Sequence, residues 1–292
     1  MGSVRGWEVA EGADLHVHSS ASDGRFPPRE VIRRAYGAGL SAVALTDHDT
    51  VSGLEEAKCE ADRLGITFVP GCEISVHLQS REIHLLAYYF DAKHPELLGL
   101  LSTIHEMRKE RVRRIVRKLN DLGLPLQTSD VETEACVSAS IGRNHVAKAL
   151  VRKGLVASRR EAFASYLGDG RSACVPMETP KPTAVLDIVW SVGGVPVIAH
   201  PGLYGLEDPE AFFRDWDLGG VEVGHPSQAA DVRAVLKQWA AKRGLLVTGG
   251  SDWHGDESAR LGIGCERVGL DLLDALRALR RSRDDPHGRR RP

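Results

Sequence analysis

The chain has 292 residues, with 40 acidic and 38 basic side chains and a formal net charge of −2. An apolar content of 42% with so small a net charge excludes an intrinsically disordered chain, and the charge balance excludes a polycation. The length suits one barrel-sized domain or two smaller ones.

The first third of the chain alternates short apolar runs with amphipathic segments. Strands are predicted at residues 14–18, 41–46, 66–71, 74–78 and 82–90, with a turn at 79–81. One helix is predicted to open at Pro27 and Pro28 and to end near Gly37 or Gly39, and a second to span residues 53–64. Strands and helices that alternate at this spacing indicate βαβ units and a parallel sheet.

The middle third of the chain is predicted to be helical. A long amphipathic helix spans residues 95–122, with apolar side chains at a spacing of three to four residues. Shorter helices follow over 142–153 and 158–167, and Ser158 with Glu161 forms a capping box at the second of them. We therefore predict a helical insertion over residues 96–182 that caps the substrate site.

The last third returns to the alternating pattern. Strands are predicted at 195–199, 221–224 and 245–248, and helices at 208–216, 228–243 and 272–283. Two βα halves around an insertion predict one α/β barrel. Residues 1–95 and 183–283 would form its two parts, and residues 284–292 a flexible tail.

The sequence predicts a cytoplasmic protein without a membrane span. It has no apolar run of about 18 residues, and its opening residues lack the apolar segment of a signal peptide. Its five cysteines are scattered without a CxxC pair, which favours a reducing compartment over a disulfide framework.

Side chains that bind metals gather at the predicted strand ends. In chain order they are Asp14, His16, His18, Asp23, Asp47, His48, Asp49, Glu73, His84, His200, Asp252 and His254. Barrel enzymes place their catalytic residues at this edge of the sheet. His16 and His18 are two residues apart on a strand, so both rings face one side and can hold one cation. A single histidine after a strand is usually structural, but a set this large favours a metal centre.

Six short motifs resemble those of the PHP (polymerase and histidinol phosphatase) domain. In order they read DLHVHSSASDG, TDHDT, PGCEIS, HLLAY, AHP and SDWHG. The resemblance is greatest to the stand-alone TrpH/YciV-like branch of nucleotide-directed phosphoesterases, which the segment SIGRNHVAKALV also resembles. This chain differs from that branch at Asn144, where proline is usual, and at Met177, where a basic residue is more usual.

The resemblance implies a distorted (β/α)7 TIM-like barrel with a helical insertion and a trinuclear metal centre. One metal would bind His16, His18, Glu73 and Asp252. A second would share Glu73 and add His84 and His200, and a third would bind Asp23, His48 and His254. The same resemblance implies that Arg143 faces a substrate phosphate.

The ligand chemistry indicates how such a centre would act. Imidazole and carboxylate ligands without cysteine favour Mn, Fe or Zn. Three divalent ions against three ligand carboxylates leave a surplus of positive charge, which suits a phosphate and a hydroxide. A metal-bound hydroxide bridged near Glu73 would be the nucleophile, because metals lower the pKa of water from about 15.7 towards about 7.

Several residues keep two interpretations at this point. Asp14, Asp47 and Asp49 either orient ligand imidazoles or cap the loops in which they lie. His225 is either a substrate contact and general acid or a plain loop histidine. The basic run over 108–118 is either a solvated helix face or an attractor for oligonucleotide phosphates.

The sequence thus predicts a metal-dependent phosphoesterase that acts on a small phosphorylated substrate. Its substrates would be nucleoside monophosphates, 3′,5′-bisphosphates or the 5′ ends of short oligonucleotides, the last as a 5′-3′ exonuclease. The alternatives are a phosphatase of the histidinol-phosphate type, an amidohydrolase-like C–N hydrolase and a non-catalytic accessory module. Protein partners and oligomeric state are not predicted.

Overall fold

The computed structural model of the chain describes residues 11–78, 81–135, 140–206, 208–255 and 262–284. The strands in these ranges are β1 (Ala13–Asp14), β2 (Ala42–Leu45), β3 (Thr67–Leu78), β4 (Arg81–Tyr88), β5 (Val195–Ile198), β6 (Gly220–Gly224) and β7 (Leu246–Gly249). The α-helices are α1 (Pro28–Gly37), α2 (Leu54–Leu64), α3 (Pro95–Asp121), α4 (Thr128–Glu134), α5 (Arg143–Arg152), α6 (Arg159–Ala162), α7 (Pro182–Ser191), α8 (Pro209–Phe213), α9 (Ala230–Arg243) and α10 (Asp271–Asp284). A π-helical turn, Phe163–Leu167, continues α6, and a 3-10 turn, Pro201–Tyr204, follows β5.

The strands form one curved sheet in chain order, from β1 to β7. Neighbouring strands are parallel except at β4, which runs antiparallel to both β3 and β5. The two ends of the sheet meet: Leu15 N donates to Gly249 O at 3.3 Å, and Asp252 N donates to His16 O at 2.8 Å. This nearly closed ring confirms the predicted α/β fold, a distorted TIM-like barrel of seven strands.

The hairpin of β3 and β4 extends past its neighbours in the barrel. β2 pairs with β3 only over Thr67–Pro70, and β5 pairs with β4 only over Leu85–Tyr88. Beyond Ser75 and His84 the two strands pair only with each other within the described sheet. The outer part of the hairpin therefore carries its side chains from the barrel mouth towards the helices of the middle third.

The predicted break between residues 71 and 74 was wrong, because β3 runs through it without interruption. Gly71 explains the error. A Cβ atom at this glycine would lie 2.7 Å from Thr46 Cγ2 and 2.9 Å from Leu45 O. A glycine in a strand often marks such a close approach to a neighbour rather than the end of the strand.

Other elements differ from the prediction in extent. β1 is shorter than the predicted strand 14–18, and α8 is shorter than the predicted helix 208–216. Helices α4 and α7 were not predicted. Because α7 packs against α3, β3 and β5, its apolar residues do not lie on one side of the helix, and the amphipathic pattern that would have predicted it is missing. Residues 79–80 of the predicted turn and 285–292 of the predicted tail lie outside the described residues. No helix in the described part of the chain has the length and apolarity that a membrane crossing requires.

Two hydrophobic cores share the long helix α3. Its first half buries Leu97 and Ile104 in the core of the barrel. Its second half buries Ile115 and Leu119 in a separate core, which helices α4 to α6 complete. The predicted start of the insertion at residue 96 stays a prediction. In the structure α3 is one uninterrupted helix that takes part in both cores.

Candidate metal centre

The nine predicted metal ligands lie around the mouth of the barrel. His16, His18 and Asp23 follow β1, His48 follows β2, Glu73 lies in β3, His84 lies in β4, His200 follows β5, and Asp252 and His254 follow β7. The backbone is left-handed at His200 and Asp252, with φ of 30° and 52°. Holding such residues in this conformation costs about 1–3 kcal/mol each, and they tend to cluster at functional sites.

The donor atoms form four overlapping groups, each with all its atoms within 4.8 Å of one another. The groups are His16, His18, Glu73 and Asp252; His18, Asp23, His48 and His254; His48, Glu73 and His84; and His16, His200 and Glu222. The first is the set expected for one metal, and the second adds His18 to another expected set. His200 groups differently from the expectation, although its Nε2 still lies 3.0 Å from Glu73 Oε1.

Glu73 contacts most of the predicted ligand histidines. Its side chain is buried, and its two carboxylate oxygens lie 2.8 to 3.2 Å from five imidazole nitrogens, those of His16, His18, His48, His84 and His200. One carboxylate cannot accept good hydrogen bonds from so many rings at once. Divalent cations held by this carboxylate and by the surrounding rings would account for the crowding.

Several buried ligand atoms have no partner in hydrogen-bond geometry among the described residues, although some, such as His18 Nε2 and His84 Nδ1, lie within ion-pair distance of Glu73. They are His18 Nδ1 and Nε2, Asp23 Oδ1, His48 Nδ1, His84 Nδ1 and Nε2, and His200 Nδ1. A buried polar atom without a partner costs about 1–3 kcal/mol, so a folded protein rarely tolerates a cluster of them. Nitrogen and oxygen donors that lie close together without hydrogen-bond geometry fit bound divalent cations.

Burial and neighbouring charges shift the pKa values of the ligand histidines in opposite directions. Burial lowers the pKa of His48 to about 3. Burial also opposes a charge on His18, but its contacts with Asp252 and Glu73 outweigh this and raise its pKa to about 10. The attraction of Glu73 likewise overcomes burial and raises the pKa of His84 to about 10. Protons and cations therefore compete for the same nitrogens.

Three aspartates next to the ligands hold loops in place. Asp14 accepts hydrogen bonds of 2.8 to 3.3 Å from three backbone N–H groups, those of His16, Ser251 and Gly264. Asp47 accepts from the backbone and hydroxyl of Ser19 and the hydroxyl of Ser22. Asp49 accepts from Ser75 N at 2.7 Å. None of the three accepts a hydrogen bond from a ligand imidazole among the described residues, so their contacts match loop capping.

Glu222 orients a ligand imidazole, and the sequence analysis missed it. This carboxylate lies buried in the middle of β6, and its Oε1 is 2.9 Å from His16 Nδ1. Its Oε2 accepts from the backbone N–H of His200 at 2.8 Å. With Nδ1 bound to Glu222, His16 presents Nε2 to the centre. The signal was a lone carboxylate inside the apolar strand GVEVG.

His225 lies beside the centre and is tied to one of its ligands. Its Nδ1 accepts from Ser227 N at 3.1 Å, which leaves Nε2 as the protonated nitrogen. That Nε2 lies 3.3 Å from Asp252 Oδ2. His225 therefore holds the second oxygen of Asp252, and its predicted role as a substrate contact or acid stays a prediction.

A cavity of about 200 Å³ joins the centre to the helices of the middle third. One wall contains the ligands Asp23, His48 and His84. The other contains Glu82, Arg108, Arg111, Ser140, Gly142, Arg143, Asn144, His145 and Phe163. Asn144 Nδ2 donates to Asp23 Oδ2 at 2.5 Å, so the residue that departs from the family pattern touches a predicted ligand.

The basic run of α3 divides between the cavity and the surface. Arg108 and Arg111 are buried and line the cavity, which a wholly solvated helix face does not allow. Arg108 Nε donates to Asp49 Oδ2 at 2.6 Å, and its Nη2 donates to Ser75 Oγ at 2.8 Å. Arg113 and Arg117 point outward and pair with an acid on the same helix.

Comparison with known proteins gives consistent relatives. A family model described as the PHP domain matches residues 14–167. A 5′-3′ exoribonuclease of Haemophilus influenzae is 35% identical over 270 residues, which cover 90% of this chain and 96% of the relative. A 3′,5′-nucleoside bisphosphate phosphatase of Chromobacterium violaceum is 34% identical, over 82% of this chain and 86% of its own. A structure described as a candidate metal-dependent phosphoesterase, from Bifidobacterium adolescentis, superposes with a TM-score of 0.84 at 32% identity and covers 93% of this chain and 96% of its own.

Proposed function

Because this chain belongs to the PHP domain family, we propose that it hydrolyses phosphate esters of nucleotides. The protein is a metal-dependent phosphoesterase. In this proposal its substrates are nucleoside monophosphates, 3′,5′-bisphosphates or the 5′ ends of short oligonucleotides. The two relatives named as an exoribonuclease and a bisphosphate phosphatase support this substrate class.

The cavity is the observation that carries the proposal. Metal-ligating side chains form one wall, and the guanidinium groups of Arg108, Arg111 and Arg143 lie in the other. Both walls suit the hydrolysis of a nucleotide. The arginines would bind its phosphate oxygens, and the metal centre would activate water. A neutral amide would form no ion pair with the arginine wall.

The charge of the loaded centre also favours a phosphate. Three divalent ions would carry six positive charges against the four carboxylates of the donor groups, those of Asp23, Glu73, Glu222 and Asp252, which leaves a surplus of about two. A phosphate dianion neutralises such a surplus. The number of ions and their identity as Mn, Fe or Zn are part of the proposal, since imidazole and carboxylate donors accept all three.

Each residue then has a task that its contacts support. Bound cations would supply a Lewis acid and lower the pKa of water towards neutrality. Glu73 would bridge them, Glu222 keeps His16 in the binding tautomer, and His225 holds Asp252. The fork of Arg143, which lines the cavity, would hold phosphate oxygens. The cytoplasmic location stays a prediction.

A phosphate-release screen with added Mn²⁺ tests the proposal. The panel contains a nucleoside 5′-monophosphate, a 3′,5′-bisphosphate, a short 5′-phosphorylated RNA, histidinol phosphate and a neutral amide. We expect turnover of the nucleotides and loss of at least 10³-fold in kcat/KM for Glu73→Ala. Selective turnover of histidinol phosphate or of the amide would contradict the nucleotide assignment and favour the corresponding alternative.

Elemental analysis of the purified protein tests the metal count separately. We expect up to three bound ions per chain in the wild type and fewer in Glu73→Ala, because Glu73 contacts most of the ligand rings. A single ion per chain at saturating metal would contradict a trinuclear centre but not the phosphoesterase activity.

A further inference from the structure

We propose that Asn144, in the first turn of α5, positions the predicted ligand Asp23 and thereby strengthens the binding of one metal ion. That ion is the third of the proposed centre, which would bind Asp23, His48 and His254. The inference rests on the proposed function and deepens it, because it gives the helices of the middle third a part in building the metal centre.

The two carboxylate oxygens of Asp23 face different neighbours. Oδ2 accepts a hydrogen bond from Asn144 Nδ2 at 2.5 Å. Oδ1 has no partner in hydrogen-bond geometry among the described residues, and it lies 3.2 Å from His254 Nε2, in the donor group that also contains His18 and His48. An ionised carboxylate only accepts hydrogen bonds, so the amide NH₂ of Asn144 fixes its rotation. Oδ1 is thereby left facing the donors of the third ion.

The barrel holds the backbone of the Asp23 loop, whereas α5 holds its carboxylate. Arg25 N, two residues after Asp23, donates to His254 O at 2.9 Å. Outside the donor groups, Asn144 is the residue that the described structure places in hydrogen-bond contact with the carboxylate itself. Without Asn144 the carboxylate should therefore rotate while the loop keeps its place, and the third ion would lose a well-oriented ligand.

The other two predicted carboxylate ligands are held from within the barrel. Asp252 Oδ2 lies 3.3 Å from Nε2 of His225, which follows β6. Glu73 lies inside β3 and pairs with Leu86 of β4. Of the three, Asp23 is the one whose carboxylate is oriented by a helix of the second core.

Packing fixes the position of Asn144 relative to the barrel. Val146 and Leu150 of α5 are buried in the second core, which anchors the helix. Lys148, one turn after Asn144 on the same face of the helix, donates from Nζ to Asp23 O at 3.4 Å. Both contacts with Asp23 come from one helix, so the orientation of this ligand depends on the docking of α5.

Equilibrium dialysis against Mn²⁺ tests the inference without relying on turnover. The metal-free wild type, Asn144→Ala and the control Lys153→Ala are compared for the number of bound ions and the affinity of each. We expect Asn144→Ala to bind one ion about 10- to 100-fold more weakly than the wild type and the other ions equally well. Alanine is a better helix former than asparagine, so α5 should be retained. Lys153, about 13 Å further along the chain of α5, pairs with Asp130, and its variant should bind Mn²⁺ as the wild type does.

The dependence of activity on Mn²⁺ gives a second readout. Hydrolysis of adenosine 3′,5′-bisphosphate is measured over a range of Mn²⁺ concentrations. Asn144→Ala should need about 10- to 100-fold more Mn²⁺ for half-maximal activity, and its deficit should shrink as Mn²⁺ is raised. A role in folding or in substrate contact would leave a deficit that Mn²⁺ does not correct, and this result would overturn the inference.

The outcomes separate this inference from the proposed function. A wild type that hydrolyses no nucleotide contradicts the proposed function, while the dialysis still decides the role of Asn144. A wild type that binds fewer than three ions at saturating Mn²⁺, or an Asn144→Ala variant that binds all its ions as the wild type does, overturns the inference but not the phosphoesterase activity. Should Asn144→Ala not fold, Asn144→Leu, which keeps a side chain of similar length without a donor, carries the same expectation.

Discussion

Individual carboxylates set the orientation and tautomer of histidines in the centre. Glu222 fixes the tautomer of His16 through Nδ1 and leaves Nε2 for the cation, while Glu73 lies among five rings. Groups that hold a metal ligand in this way are worth about 10- to 100-fold in metal affinity or activity. The arrangement of the ligand rings therefore depends on these carboxylates as well as on the histidines.

Replacing Glu222 tests this dependence. We expect Glu222→Gln to weaken Mn²⁺ binding about 10- to 100-fold, because the amide keeps the shape but attracts the His16 ring N–H less strongly. Titration calorimetry on the metal-free protein measures the affinity. Glu106→Gln, at an exposed carboxylate of α3, is the matched control and should bind as the wild type does. Unchanged affinity in Glu222→Gln would show that His16 is oriented by other contacts.

Burial also sets the charge of a histidine outside the ligand set. His145 is buried, accepts from Gly142 N through Nδ1, and has a pKa that burial lowers to about 4. The unfolded chain binds this proton near pH 6.5, whereas the folded protein does not until about pH 4. The stability that depends on neutral His145 is therefore present above pH 6.5 and is lost as the pH falls towards 4.

The expected result is a stability difference that depends on pH. Between pH 7.5 and pH 5 the metal-free wild type should lose about 2 kcal/mol through His145, and His145→Gln should not lose this part. Urea unfolding of both proteins at the two pH values measures the difference. A wild type and variant with parallel pH profiles would show that His145 takes up its proton in the folded state.

At the scale of elements, α3 and the β3–β4 hairpin determine the position of the cavity. α3 buries one half in the barrel and the other half in the second core. Arg108 connects it to the loop after β2 through Asp49, and both side chains are buried. The helix is thereby fixed to the barrel at the level of the ligands, so the cavity has a defined width.

Breaking this buried ion pair should be costly. We expect Arg108→Met to lower the free energy of unfolding by about 3–5 kcal/mol, because Asp49 would be left buried without its partner. Urea denaturation at neutral pH measures it. Arg113→Met removes an exposed arginine from the same helix and should change stability by about 0.5 kcal/mol or less. A loss in Arg108→Met no greater than in the control would mean that the pair contributes little.

Two glycines give a matched pair for the packing of the hairpin and the helix. A Cβ at Gly71 would press on the backbone of β2, whereas a Cβ at Gly99 in α3 meets nothing within 4 Å. We expect Gly71→Ala to destabilise the protein by about 1–3 kcal/mol and Gly99→Ala to stabilise it by about 0.5–1 kcal/mol. Thermal unfolding of the two variants checks both signs. A tolerated Gly71→Ala would show that β2 and β3 can move apart.

Much of this arrangement could be predicted from the sequence, because it depends on local patterns. The alternation of apolar runs predicts the barrel, and the ligand types at strand ends predict the residues that the mouth of the barrel brings together. Glu222 was missed because its role depends on a ring that lies 206 residues away in the chain. For the basic run over 108–118 the sequence left a solvated helix face and a phosphate attractor open. Neither alternative predicts the buried ion pair of Arg108, although this residue lies four residues after the buried Ile104 and so on the same helix face.

For the whole molecule, cations bound at the mouth of the barrel would stabilise the folded state. The mouth gathers imidazole nitrogens and carboxylates from nearly every strand end. Ions that bind only the folded chain stabilise it in proportion to the logarithm of their concentration, by about 2.7 kcal/mol at a hundred times the dissociation constant.

Chelation should therefore lower the melting temperature, and added Mn²⁺ should restore it in a concentration-dependent manner. Differential scanning calorimetry of the wild type and of Glu73→Ala measures this effect. The variant should show a much smaller response, because Glu73 contacts five ligand rings. Equal responses in the two proteins would place the stabilising ions elsewhere.

The closure of the sheet between its first and last strands also has a consequence for biosynthesis. The predicted centre needs His16, which follows β1, and His254, which follows β7. Ribosomal synthesis must therefore pass all seven strands of the barrel before the centre can form. A chain released before β7 lacks two of the predicted ligands, Asp252 and His254, so hydrolytic activity would have to wait until the last strand has been made.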